Sequence, residues 1–181
     1  LDRAKEARRR DERSQLQQLQ TRARRHHCRQ RERPAAFVAL GNVVALGDIV
    51  DYRLHETMNP FSFQVISVWH HSFGAIQGMR AGEFNPPPEK PGIDYAGLCD
   101  LIDEGLAALQ QETHDAVQAL SGQNMYFRFG KMEIPFTTDN FLATFSKPNL
   151  YFHATTTYTI LRQLGTPLGK LDFLGNMKVG H

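Results

Sequence analysis

Apolar residues recur with a helical period in three stretches of this chain and with a strand-like period in one. Phe61, Val65, Val68, Trp69, Ile76 and Met79 return at spacings of three, four and seven, which predicts a helix from Asn59-Pro60 to about Arg80. Asn59 is expected to cap it and Pro60 to sit in its first turn, where the missing N–H costs nothing. Gly82 should stop it, and Pro86-Pro87-Pro88 with Pro91 and Gly92 predicts an extended crossover. Asp94 can cap a second helix whose stripe is Leu98, Leu101, Ile102, Leu109, Ala116, Val117 and Leu120, ending near Ser121-Gly122. Between Met125 and Thr137 the residues alternate around Gly130-Lys131, as in a short β-hairpin. Thr138 or Asp139 then opens a last helix carrying Phe141, Leu142, Phe145, Phe152, Ile160, Leu161 and Leu164. Pro148 falls inside that pattern and should kink or split it, because proline removes a backbone hydrogen bond and crowds the preceding turn. Beyond Gly165, the anchors Leu168, Phe173 and Leu174 predict a tail packed over the helices.

The front of the chain behaves differently. Residues 1–33 contain many good helix formers but almost no apolar face, and Pro34 ends the run. They hold 12 Lys or Arg against 5 Asp or Glu, a surplus of +7, so the remaining residues carry −5 of the chain's net +2. A solvated helix or disordered arm is favoured over a nucleic-acid arm, since no aromatic residues are interleaved for base stacking. Ala35–Val50 is apolar but broken by Gly41 and Gly47. It reads as an interrupted helix, too short to cross a bilayer and wrongly placed for a secretion signal. The chain starts at Leu1 rather than Met, as a fragment or processed product would. The expected organisation is an arm, 1–33, and one domain, 34–181, with 41% hydrophobic residues to build its core.

Two cysteines in unrelated contexts make neither a disulfide framework nor a zinc knuckle, and Cys99 in an apolar stripe is expected to be a small buried residue. The expected compartment is cytoplasmic, and no membrane partner is expected.

Two segments carry a resemblance. Asn140–Gly175, NFLATFSKPNLYFHATTTYTILRQLGTPLGKLDFLG, resembles the C-terminal signature of a domain-of-unknown-function family among the DinB/YfiT-like four-helix bundles. Arg53–Val65, RLHETMNPFSFQV, resembles the start of that family's second helix, so the likeness runs from about 53 to 175. It implies a mainly α, up-and-down four-helix bundle with a short β-hairpin before the last helix. The Arg/Gln-rich and Gly-broken residues 1–50 depart from the family's amphipathic first helix, which is therefore expected to be atypical or displaced, through an altered gene model or a divergent exon.

Metal-binding members of that superfamily hold a divalent ion, zinc or nickel being the candidates here, with three histidines, two of them one turn apart on the last helix. In this chain the resemblance supplies His153, but Thr157 stands at the second position. His70 or His71 of the helix after Asn59 could complete a site, and only one of them can face a given cavity, since neighbours on a helix point about 100° apart. Asn149, Tyr151, His153, Thr156 and Tyr158 cluster near Pro148 and could line a polar ligand pocket, although hydrogen-bond filling around the proline is the commoner use of such groups. No nucleotide loop, nucleophile triad or His-Glu-x-x-His helix is present, so the sequence names no reaction. A homodimeric protein, non-catalytic or binding a small molecule, is the leading expectation, with a metal-dependent enzyme of thiol or hydrolytic chemistry as the alternative.

Overall fold

The computed structural model describes residues 46–175 of the 181. The arm 1–33 and most of the Gly-broken segment lie outside them. A short helix α1, Leu46–Val50, leads in and packs on the two helices that follow the loop. Helix α2, Phe61–Trp69, passes without a break into a π-helical turn, His70–Gly74, and on into α3, Ala75–Ala81. Its start differs from expectation. Pro60 stands at the N-cap, where no side chain caps the first turn, and the backbone carbonyl of Asn59 instead accepts from Gln64 Nε2 at 2.9 Å. At the other end Gly82 takes φ +72°, the left-handed geometry that closes a helix at little cost for glycine.

Asp94 caps α4, Tyr95–Gln111, by accepting from the Gly97 N–H at 2.8 Å. This helix ends eleven residues before the glycine, Gly122, expected to stop it. Glu112 turns the chain into extended geometry while forming an ion pair with Arg80, and Thr113 caps a separate short helix α5, His114–Gln118, through the Ala116 N–H. An isolated Thr followed by a carboxylate in the first turn is itself a helix start, and it outcompetes the continuing stripe.

The hairpin is present as β2, Asn124–Phe129, and β3, Met132–Thr137, antiparallel about Gly130, which has φ +59°. Glu83–Phe84 adds a third strand, β1, parallel to β2, which the sequence pattern does not announce because it is two residues long. Thr137 caps the last helix through the Asn140 N–H. Asp139 is freed to accept from Ser121 Oγ and Gly122 N–H, tying that helix start to the loop before the hairpin.

The last helix runs through α6, Thr138–Asn140, a second π turn, Phe141–Ser146, and α7, Lys147–Gln163. The chain stays helical across Pro148, which lies in the first turn of α7, and the widened turn just before it absorbs the missing hydrogen bond. Within it the Lys147 N–H reaches back five residues to the Leu142 carbonyl. Beyond it, α8, Lys170–Leu174, brings Phe173 edge-on to Tyr158.

The helix 61–81 packs against both α4 and α7, and one apolar cluster takes residues from all three predicted stripes: Phe61, Val65 and Val68; Leu98, Ile102 and Leu109; Phe141, Ile160 and Leu161. Cys99 is buried in the same cluster. Phe152, assigned to the stripe of the last helix, is 55% exposed instead. No helix of the described residues is long and apolar enough to cross a membrane.

Candidate functional site

Both π turns face the same place. The first carries His70 and His71 and the second ends at Ser146, whose hydroxyl donates to the His71 carbonyl at 2.9 Å, so the two widened turns are stitched together across the helix interface. A π turn displaces side chains by one residue relative to a regular helix and recurs where a side chain must be re-aimed.

His71 is almost fully buried. Its Nδ1 lies 3.3 Å from Ser146 Oγ, and its ring faces that of His153 with centroids 5.9 Å apart and planes within 14° of parallel. His153, from α7, places Nδ1 2.8 Å from Gln64 Oε1. Phe63 and Phe152 meet the His153 ring edge-on, while Phe84 and Phe145 flank that of His71. Gln64 is itself buried, and its amide is oriented by donating to the Asn59 carbonyl.

Burial away from water disfavours the charged imidazolium, and it lowers His71 to about 3, with the neighbouring His70 and His153 adding to the shift. Burial likewise lowers His153 to about 4. Both rings are therefore neutral at physiological pH. The hydrogen bonds also fix where each single ring proton sits. A carbonyl oxygen only accepts, so Gln64 Oε1 requires a proton on His153 Nδ1. The Ser146 hydroxyl spends its proton on the His71 carbonyl and so accepts from His71 Nδ1. With Nδ1 protonated, each Nε2 carries the ring's lone pair.

The remaining candidates fall elsewhere. His70 turns away from His153: its Nε2 donates to the Asn85 carbonyl at 2.7 Å, and its ring stacks on Phe84 at 4.3 Å. Burial lowers its pKa too, against the opposing effect of that backbone bond. Thr157 is buried one turn beyond His153 and donates its hydroxyl back to the His153 carbonyl at 2.8 Å. Asn149 donates to the Phe145 carbonyl across the second π turn and Thr156 to the Phe152 carbonyl. Tyr151 is exposed, and Tyr158 lies against Phe173, so these two do not join His153. His55 is exposed, and His114 lies beside Asp115 on α5.

Sequence reasoning missed Gln64 and Ser146. A buried glutamine within the otherwise apolar run FSFQVISVW was the available signal for the first, and nothing in the local pattern marked the second.

The profile of a family described as Domain of unknown function (DUF1993) matches residues 35–174, more than three quarters of the chain. The chain belongs to this family. As a DUF1993 protein it also has the expected structural kin: a crystal structure of a DinB family member from Shewanella denitrificans superposes with a TM-score of 0.72 at 20% identity, covering 93% of this chain and 92% of that one. At that identity the likeness establishes the fold. No curated protein sequence matches the DUF1993 chain.

The superfamily's metal can be tested against these residues. Two imidazole nitrogens are available, and among the described residues no group of three or more His, Cys, Asp or Glu side chains could hold a metal ion. The three-histidine seat is thus not reproduced. What is present is a pair of neighbouring imidazoles, His71 and His153, with the Thr157 hydroxyl committed to the backbone.

Proposed function

We propose that this chain is a small-molecule-binding protein of the up-and-down four-helix-bundle type, with α1 belonging to the first helix and with the paired imidazoles of His71 and His153 as its binding seat. The observation that carries the reading is the convergence, 5.9 Å apart, of two largely buried rings from facing helices, each with its Nδ1 engaged by a buried polar side chain. The two rings converge between facing helices among Phe63, Phe84, Phe145 and Phe152, where bundles place their ligand sites. No group in the site is assigned a chemical step.

A second reading, a divergent metal-dependent enzyme, is favoured by one specific feature. Metal-ligating histidines regularly donate their second ring nitrogen to a neighbouring acceptor, as both do here to Gln64 and Ser146. His71 and His153 would then hold the cation, which would supply Lewis acidity. Elemental analysis of untagged protein separates the two. Metal well below one equivalent, unchanged in His153→Ala, supports the binding protein; stoichiometric zinc, nickel or iron that disappears in His153→Ala replaces it with the metalloprotein.

A further inference from the structure

The two imidazoles are held by different elements and by different chemistry, yet they end in the same protonation pattern. His153 on α7 is met by a carboxamide from the first turn of α2, and that carboxamide is in turn fixed by the Asn59 carbonyl in the preceding loop. The loop is organised by its own bonds: the Phe61 N–H donates to the Tyr52 carbonyl at 2.7 Å, the Met58 N–H to the His55 carbonyl at 2.9 Å, and the Arg53 guanidinium to the Met58 carbonyl. His71 on the first π turn is met by a hydroxyl from the second, and that hydroxyl is fixed by the His71 carbonyl itself. Both polar partners are buried, Gln64 at 2% and Ser146 at 0% exposure. A buried amide or hydroxyl is costly unless its bonds are made, and each of these spends its remaining capacity on a histidine.

An unconstrained neutral imidazole prefers the Nε2–H form modestly, so a tautomer fixed as Nδ1–H needs an acceptor beside Nδ1. Two such acceptors, supplied independently, leave the seat with two electron-pair donors. With both ring protons already engaged, neither ring has a proton to offer a ligand. That decides what the seat can take. A carboxylate or sulfate would find lone pairs opposing its own, whereas a metal cation, a hydroxyl or an ammonium group would be accepted.

We infer that Gln64 and Ser146 are positioning residues that lock His153 and His71 as Nδ1–H tautomers, making the pair a seat for electron-pair acceptors rather than for anions. This rests on the proposed binding role of the same two histidines and adds its selectivity.

Long-range proton–nitrogen NMR on the ligand-free protein at pH 7 reads which ring nitrogen carries the proton. Wild type is expected to show Nδ1–H at both rings. Gln64→Met should shift His153 toward Nε2–H while leaving His71 unchanged, Ser146→Ala should do the reverse, and Ser146→Thr should restore the wild-type pattern at His71. This crossed response is what a merely structural loss would not produce. A wild-type Nε2–H form at either ring overturns the inference, as does a folded variant whose targeted ring is unaffected. If Gln64→Met does not fold, the wild-type spectrum with the Ser146 pair decides the outcome. Binding is then measured by calorimetry with zinc ion alone and with sulfate alone. Zinc affinity is expected to fall on the order of 10–100-fold in each disruptive variant, with no sulfate binding in any. Sulfate binding lost on His153→Ala would overturn the stated selectivity. Correct tautomers without zinc binding would instead count against the cation arm of the binding reading and leave the positioning roles intact.

Discussion

The two long helices that build the site, 61–81 and 138–163, each contain one π turn, but for different reasons. In the second helix the cause is local. Pro148 has no N–H and its ring crowds the carbonyl four residues back, so the turn before it widens. In the first helix the segment His70–Gly74 has no proline, and its widened turn is held by contacts made elsewhere. Ser146 bonds the His71 carbonyl, His70 reaches Asn85 beyond the helix, and the Ser72 hydroxyl covers the Val68 and Trp69 carbonyls. Gly74 completes the fit, since a Cβ there would come within 2.9 Å of His70 Nδ1. One helix is thus distorted by its own sequence and the other by its neighbour, and the histidine pair sits where the two distortions meet.

That contrast can be broken at several strengths. The largest effect is expected from Phe141→Ala at the start of the second π turn. Its ring is fully buried against Phe84, Phe136 and Phe145, and its loss should cost about 3–5 kcal/mol by chemical denaturation.

Acid should come next. His71 and His153 are neutral in the fold, with pKa values of about 3 and about 4 against the ordinary 6.5, so the unfolded chain binds more protons between those values. Their contribution is full above about pH 6.5, is lost as the pH falls through that window, and changes no further below about 3. The decline should amount to a few kcal/mol, on the order expected for buried groups shifted by burial. In His71→Gln the melting temperature should fall less steeply between pH 7 and 4 than in wild type.

Gly74→Ala should cost roughly 1–3 kcal/mol by overpacking the His70 ring, and should detach β1 by weakening the bond to Asn85. Asp94→Ala, away from both π turns, should cost about 1 kcal/mol through loss of the α4 cap and leave the histidines unaffected. The smallest effect belongs to Pro148→Ala. The π turn already accommodates the missing N–H, so stability should change by less than about 1 kcal/mol. If instead Pro148→Ala were as damaging as Gly74→Ala, the distinction between a local and a tertiary cause would be lost.

The same contrast explains what could be read from the sequence. The stripes through Val65, Leu98 and Ile160 were legible because burial of one helix face imposes a period, and Asp94 was legible because a cap is a local bond. The hairpin around Gly130 followed from alternation. His153 could be singled out through the family resemblance, and His71 only as one of an adjacent pair. The choice between His70 and His71 depends on a π turn stabilised 75 residues away, at Ser146, which no local pattern encodes. The end of α4 at Gln111 was hidden because Ala116 and Val117 continue the apolar period past a break set by Thr113. Phe152 fits the period of the last helix yet points outward, because the second π turn shifts the phase of the residues around it.

His71 and His153 lie buried together as neutral rings where the two long helices meet. Following the carbon-bound ring protons of both histidines by NMR from pH 8 to pH 4 measures this directly. Both should hold their neutral positions until well below pH 5, with unfolding rather than simple titration ending the series. Two independent titrations centred near 6.5 in the folded protein would show that the rings stand in water, and the site described here would not exist.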